Sequence, residues 1–302
     1  MDFQELFRHN IYHVAFRSRT SDDIIIGGGA WTVIRGRYDE WFADPFLFEY
    51  QGKAYVFAER MNRWQLRGSI AVCKISQGGN VSRFKEVLIE PFHLSYPNVF
   101  EYQGEVFMIP ESGSNRDIRL YRAVHFPDKW KLEKVLIEGA NFVDTSFIRK
   151  PDGDESLLCS YDWDARKSHY FKLDMNQLTL THLSDNPLLM DERCGGNAFV
   201  AGGKTYRVLQ DCKNDYGSKI IINLIENNDF ENGKASDVNV MNIVPKDLAG
   251  DKIVTPNHCH TYNRSEHFEV VDFLQETCAW YEIFFSFRNK AYYEKHKDNQ
   301  IQ

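Results

Sequence analysis

No stretch of the 302 residues approaches the ~18 consecutive apolar residues of a membrane-spanning helix. The first ten, Met1-Asp-Phe-Gln-Glu-Leu-Phe-Arg-His-Asn10, place acids early and contain no apolar run, so they do not read as a secretory signal. The six cysteines (Cys73, Cys159, Cys194, Cys212, Cys259, Cys278) are widely spaced, with no Cys-x-x-Cys. This excludes a spaced zinc cage and, without an export signal, points to reduced thiols in the cytoplasm. Basic runs are missing too: 36 basic residues stand against 43 acidic ones, a net charge of −7, which argues against a nucleic-acid partner. Gly27-Gly28-Gly29 follows three isoleucines, but no Lys-Ser/Thr or spaced third glycine comes after it. It reads as a hairpin turn, and no cofactor is expected. A Gly-x-Ser-x-Gly elbow is absent, which sets aside serine-hydrolase chemistry. Long segments of helical period are scarce, excluding a bundle or a Rossmann sheet. The one helical pattern, near Arg288–Asp298, has mixed charge and reads as a solvated tail over residues 288–302.

Aromatic residues are plentiful, at 14% (Phe 22, Tyr 15, Trp 6), which suits packed sheets. One phrase repeats. Asp44-Pro-Phe-Leu-Phe-Glu-Tyr-Gln-Gly-Lys-Ala-Tyr-Val-Phe-Ala-Glu59 is echoed by Tyr96-Pro-Asn-Val-Phe-Glu-Tyr-Gln-Gly-Glu-Val-Phe-Met-Ile-Pro-Glu111. Weaker copies begin at Asp144, Gly196 and Asn257, so the starts lie 52, 48, 52 and 61 residues apart. Each copy is a short apolar strand, a turn and a second apolar strand. The turns fall at Gln51-Gly52, Gln103-Gly104, Asp152-Gly153, Gly202-Gly203 and Arg264-Ser265, mostly with the glycine of tight hairpins. About 50 residues per unit is the size of a four-stranded propeller blade. The expectation is an all-β chain, one five-bladed β-propeller over residues 1–302, with the ring closed by a strand from the segment before Trp41.

Hairpin symmetry also locates a site. Residues equidistant from a turn face each other across the two strands. This pairs Asp44 with Glu59, Tyr96 with Glu111, Asp144 with Tyr161, Gly196 with Asp211, and Asn257 with Asp272. The first strand of a blade lines the central channel, so these ten positions should ring one mouth of it. Four of the five second-strand ends are acidic. Carboxylates beside Trp41, His93, Arg193, Arg207, His258 and His260 provide what glycosidic-bond chemistry needs. One acid protonates the leaving oxygen while another carboxylate activates the attacking group, and aromatic faces pack on sugar rings. Crowded like charges also raise a pKa and keep an acid protonated. Acidic strand ends can equally accept rim N–H groups or pair with arginines.

Two smaller constellations carry other readings. His258-Cys259-His260 spaces two imidazoles for one strand face; no third metal ligand lies nearby in sequence, though the fold could bring Asp272 or His93 to the pair. Hydrogen-bonded channel histidines, with no metal, are the expectation. Cys212 has no positioned base and reads as a structural thiol. His93-Leu-Ser-Tyr-Pro97 should aim His93 and Tyr96 into the funnel.

The pair Asp44-Pro45 at the start of the first blade resembles the five-bladed furanosidase-type glycoside hydrolases of the arabinanase and xylosidase clan. The resemblance implies that Asp44 is the base and that Asp144 is the second aspartate, which tunes the acid. The clan's general acid sits in a Glu-Gly-Pro setting absent from this sequence. Glu111 in Pro110-Glu111-Ser112, and then Glu192 in Asp191-Glu192-Arg193, are the substitutes. A resemblance over nearly the whole chain rests on Glu90-Pro-Phe-His-Leu-Ser-Tyr-Pro97, Met108-Ile-Pro-Glu-Ser112, Leu120-Tyr-Arg-Ala123, and Gln210-Asp-Cys212 with Tyr216-Gly217. These phrases are similar to the propeller-like N-terminal domain of plant glucosamine inositolphosphorylceramide transferases. They are also similar to its bacterial relatives, some fused to formyltransferase domains in surface-polysaccharide pathways. The implied role lies in glycoconjugate metabolism on the cytoplasmic side, with a sugar or sugar-phosphate ligand. In the plant proteins transfer is assigned to a separate domain, which leaves two readings open. One is an enzyme with Asp44, Glu111 and Asp144 as catalytic residues and Trp41, Glu59, His93, Tyr96, Arg193, Arg207, Asp211, His258 and His260 as substrate binders. The other is a sugar-binding accessory to a partner glycosyltransferase or formyltransferase.

Overall fold

The structure, a computed structural model, describes residues 8–19, 29–76, 78–153, 156–186, 192–213, 215–248 and 256–295. The Gly27-Gly28 turn, the Met1–Phe7 start and the tail beyond 295 lie outside the described residues. Five antiparallel sheets form five blades in a ring. Blade 1 runs through Glu40–Tyr50, Lys53–Asn62, Arg67–Ile75 and Lys85–Leu88, and blade 2 through Ser95–Tyr102, Glu105–Ser112, Asp117–His125 and Lys129–Glu138. Blade 3 comprises Phe142–Phe147, Leu157–Asp162, Lys167–Asp174 and Thr179–Asn186. In blade 4 the first strand is split into Glu192–Cys194 and Phe199–Ala201, followed by Lys204–Asp211, Lys219–Asn227 and Ser236–Ile243.

Blade 5 is assembled from both ends of the chain. Its split first strand (Pro256–His258, Tyr262–Arg264) and second strand (Phe268–Cys278) are C-terminal. Its third and fourth strands, Arg8–Ser18 and Thr32–Ile34, come from the N-terminal side. Arg8–Ser18 pairs with Phe268–Cys278 over eleven residues without a register break. The ring is therefore closed by two strands rather than one, and backbone hydrogen bonds join the two ends of the chain.

Alternation along each strand packs the ring. In Lys53–Asn62, Val56 and Ala58 pack with Val14, Phe16 and Val270 of blade 5, while Tyr55 and Phe57 pack with Val99, Met108 and Tyr121 of blade 2. Each blade is thus apolar on both faces, as a sheet sandwiched between two others must be. Equivalent clusters fill the remaining three blade interfaces.

Three inner hairpins turn on two residues that both have positive φ: Gln51 (51°) and Gly52 (70°), Gln103 (51°) and Gly104 (80°), Gly202 (53°) and Gly203 (71°). This is the type I′ geometry that matches strand twist. The fifth hairpin turns later than its sequence predicts. Neither Arg264 nor Ser265 tolerates positive φ readily, and the chain instead folds over 265–268, closed by Ser265 N–H donating to Phe268 O at 2.9 Å. Arg264 then pairs with Glu269, and Asp272 lies opposite Thr261 rather than Asn257.

The other expected pairings shift because of a repeated β-bulge. The register slips between Ala43 and Phe46, between Ser95 and Asn98, and between Val143 and Ser146. Glu59 consequently faces Ala43, Glu111 faces Ser95, and Tyr161 faces Val143. The displaced residues Asp44, Tyr96 and Asp144 take φ of 49°, 47° and 54°, a left-handed conformation that costs a non-glycine residue about 1–2 kcal/mol. In blade 4 the equivalent residue is Gly196 (φ 144°), where an added Cβ would lie 2.0 Å from Tyr262 O. There Asp211 pairs with Glu192 instead of Gly196.

The C-terminal helix α1, Glu282–Lys295, begins six residues earlier than the charge pattern suggests and is docked rather than solvated at its start. Glu282 is buried and pairs with both terminal nitrogens of Arg63, whose guanidinium also lies over the Phe285 ring.

Candidate functional site

The bulged residues and the ends of the second strands open into one cavity of about 1110 Å³ at one mouth of the ring. Asp44, Glu59, Glu111 and Asp144 line it, together with Trp41, His93, Arg193 and His260. Just below, the buried Asn98 and Asn263 and the half-buried Asn197 tie the first strands together. Asn98 and Asn197 exchange side-chain hydrogen bonds (2.8 and 2.9 Å), Asn197 N–H donates to Asn263 Oδ1, and Asn263 Nδ2 donates to Pro45 O.

Asp44 is buried and strongly held. Its backbone N–H donates to Asp272 Oδ2 (3.0 Å), and its Oδ1 accepts from Thr261 Oγ1 (2.8 Å) and lies 3.2 Å from His260 Nε2. Burial pushes its pKa up, but the His260 charge and these hydrogen bonds outweigh burial and hold it below the ordinary aspartate range. His260 lies between two carboxylates, its Nδ1 2.9 Å from Asp272 Oδ2. Burial disfavours the imidazolium, yet Asp272 and Asp44 more than offset that, and its pKa stands well above the usual value. Tyr12 and Tyr216 flank the ring at 4.9 and 5.3 Å. Asp44, His260 and Asp272 converge closely enough to suggest a cation site. Both ring nitrogens of His260 face carboxylates in this trio, Nε2 toward Asp44 and Nδ1 toward Asp272.

Glu111 is the opposite case. It accepts the Asp144 backbone N–H (3.1 Å), and burial followed by the nearby Asp144 charge pushes it up to about 7. Asp144 is fixed by Arg193 Nε (2.6 Å) and Gln210 Nε2 (3.0 Å), both on Oδ2. The Arg193 guanidinium lies between the faces of Trp163 and Tyr216, at 5.2 and 5.6 Å. Glu59, also raised by burial, faces His93 Nε2 at 3.1 Å. The Gly68 N–H donates to His93 Nδ1 (3.0 Å), which selects the neutral tautomer with its proton on Nε2, toward Glu59. Gly68 is required for this approach, since a Cβ there would lie 2.7 Å from the imidazole ring.

Four of the expected substrate binders lie elsewhere. Tyr96 is 1% exposed and reaches beneath the cavity, its hydroxyl 2.7 Å from Ser146 Oγ; Ser146 in turn donates to Asp144 O. Tyr96 therefore supports the Asp144 bulge from below. Arg207 has the strand parity of Leu209, which turns it into the interface of blades 3 and 4, 2.9 Å from Asp237. Asp211 accepts the Lys213 N–H at the following turn and sits 3.5 Å from Lys219. His258 pairs with Asp215 at 2.8 Å; the chain leaves extended geometry over 259–261, so His258 and His260 do not share a face. Glu192 faces Asp211 in the backbone register of blade 4.

Other residues at the site escaped the sequence argument. Tyr12 arrives on the closing strand, Trp163 at the Asp162–Lys167 turn, and Tyr216 after blade 4's second strand. Asp272, expected at this mouth opposite Asn257, lies opposite Thr261 instead and is wholly buried, where it accepts backbone N–H groups of Asp44, His260 and Thr261.

A five-bladed propeller with a carboxylate-lined funnel is the class this geometry defines. Residues 29–266 match the family described as glucosamine inositolphosphorylceramide transferase 1, N-terminal, and the chain belongs to that family. It is 33% identical over 220 residues to glucosamine inositolphosphorylceramide transferase 1 of Arabidopsis thaliana, covering 66% of this chain and 28% of that protein. The protein of the same name in Oryza sativa subsp. indica is 34% identical over 222 residues, covering 69% of this chain and 29% of its own length. The chain thus spans under a third of these curated relatives. Among solved structures, the GH43_1 enzyme from Xanthomonas citri complexed with xylose superposes with a TM-score of 0.57 at 12% identity, over 78% of this chain and 87% of that one. An alpha-L-arabinofuranosidase from Clostridium thermocellum gives 0.54 at 14% identity, over 74% and 79%. At these identities the likeness is one of fold.

Proposed function

We propose that the funnel binds a sugar or glycosyl phosphate and that the protein acts on its glycosidic bond within glycoconjugate or surface-polysaccharide metabolism. The observation that carries this reading is the opposed titration of two carboxyl groups in one cavity, Asp44 held low by His260 and Glu111 raised to about 7 by burial and Asp144. Paired acid–base chemistry needs that separation. Glu111 gives its proton to the glycosidic oxygen as the anomeric C–O bond breaks and its electron pair passes to that oxygen. Asp44 takes the proton of the incoming water or acceptor hydroxyl, whose oxygen bonds to the anomeric carbon. Asp144 and Arg193 tune Glu111 and hold hydroxyl or phosphate oxygens, while Trp41, Tyr12 and Trp163 offer stacking faces.

A second reading is a sugar-binding accessory to a partner glycosyltransferase or formyltransferase. It is favoured by the engagement of both aspartates with protein groups, Asp44 with Thr261 and His260 and Asp144 with Arg193 and Gln210. No helix among the described residues is long and apolar enough to cross a membrane. The test is a calorimetric screen with sugar nucleotides and short glycosides, followed by turnover assays on whatever binds. Tight binding without turnover of any donor, acceptor or glycoside would leave only the accessory role.

A further inference from the structure

Helix α1 is apolar on two opposite sides. Phe285 is 1% exposed and packs on Arg63 and on Trp64, while Trp280, Phe284 and Phe287 are 73%, 58% and 59% exposed. Phe284 and Phe287, three residues apart, share one helix face, and Trp280 in the turn before the helix joins them with its ring 6.3 Å from that of Phe284. Tyr38 continues the patch through its contact with Tyr281, and Trp64 borders it from the Arg63–Leu66 turn. A helix with apolar residues on both sides has a second surface to cover.

Charge and position identify what covers it. Arg63 neutralises Glu282; after that, residues 283–295 carry Arg288, Lys290 and Lys295 against Glu294, a net +2 on a chain of net −7. Exposed Trp and Phe beside Lys and Arg are the composition of interfacial helices on anionic membranes. The patch also borders the turn that carries Trp64 and continues into Gln65, Leu66 and Arg67, which line the cavity. We propose that the Trp280–Phe284–Phe287 face is a membrane-contact surface that seats the cavity mouth against an anionic lipid bilayer. The aromatic side chains enter the headgroup boundary, and the net positive charge of the helix sequence draws it to anionic headgroups. This surface stands apart from the chemistry of the cavity, and a propeller that broke no glycosidic bond would still carry it.

The experiment is co-sedimentation of the full chain with phosphatidylcholine vesicles that contain or lack phosphatidylinositol. The wild type is expected to pellet with the phosphatidylinositol vesicles, with a blue-shifted tryptophan emission, and to release at high salt. The Trp280→Ala/Phe284→Ala/Phe287→Ala variant should partition roughly tenfold or more weakly, because binding scales with inserted apolar area. Wild type that stays in the supernatant with both vesicles overturns the proposal, as does a triple variant that binds like wild type. A dimer in light scattering that the triple variant abolishes, without vesicle binding, reassigns the patch to a second copy of the chain. Should the triple variant lose its cooperative melt, Phe287→Glu alone is read by the same criteria.

Discussion

Asp272 holds Asp44 by two routes: its Oδ2 accepts the Asp44 backbone N–H at 3.0 Å and also lies 2.9 Å from His260 Nδ1, whose Nε2 faces Asp44 Oδ1. A fully buried carboxylate with no access to the cavity thus fixes both the conformation and the ionisation of the residue proposed as base. The left-handed backbone at Asp44 persists because Asp272 satisfies the amide that the bulge removes from the ladder.

Asp44→Asn keeps the side chain's size and removes its charge. Turnover should fall by ~10²–10⁴-fold, the usual worth of general-base help. Ligand affinity should move far less, since one hydrogen bond contributes roughly 0.5–1.5 kcal/mol. Parallel kinetics and calorimetry on both proteins check this; a loss confined to affinity would speak for the accessory role.

The pH dependence follows from the two shifts. Glu111 must be protonated to act, so activity should fall as pH rises through about 7. Asp44 must be ionised, and its depressed pKa confines the acid limb to pH below the ordinary aspartate range. A bell-shaped kcat/KM profile with its alkaline limb near 7 is expected. Glu111→Gln should abolish that limb, and a substrate with a good leaving group should recover much of the lost rate.

Asp272→Ala leaves the His260 charge buried with one partner removed. A loss of about 3–5 kcal/mol in urea unfolding is expected. The pH sense is also defined. His260 has a folded pKa above its unfolded value of about 6.5, so its contribution is complete below that pH and fades as pH rises through the folded pKa. Wild type should therefore lose stability on the alkaline side, and the variant should show a flatter dependence.

Gly196→Ala would drive a Cβ to 2.0 Å from Tyr262 O, at a φ of 144° that only glycine adopts freely. A destabilisation of about 2–4 kcal/mol is expected, from strain and displacement of the blade 5 strand. Gly203→Ala has open space around its Cβ and lies at φ 71° in an outer turn, so it should cost about 1 kcal/mol. Comparing the two melts separates close approach from backbone strain alone.

By itself the sequence determined the blade count, three of the inner hairpins, and the strand positions of Asp44, Glu59, Glu111 and Asp144, which line one cavity. These follow from local chemistry: period-two apolar strands and Gln-Gly or Gly-Gly turns whose positive φ fixes the register. The bulges were not legible, because an extra residue in a strand leaves no trace in the apolar alternation until both strands are paired. The slip displaced three predicted facing pairs by one residue, Asp211 faces Glu192 instead of Gly196, and the late turn after Arg264 sets Asp272 opposite Thr261 instead of Asn257. Tyr96 shares a strand with the cavity residue Ser95, and Arg207 shares a residue type with Arg193, yet bulge geometry and strand parity send both inward. Tyr12, Trp163, Tyr216 and His260 meet only because the ring closes, which brings residue 12 beside residue 260. Tertiary structure alone decided which carboxyl group is charged, since that depends on burial and on neighbours contributed by other blades.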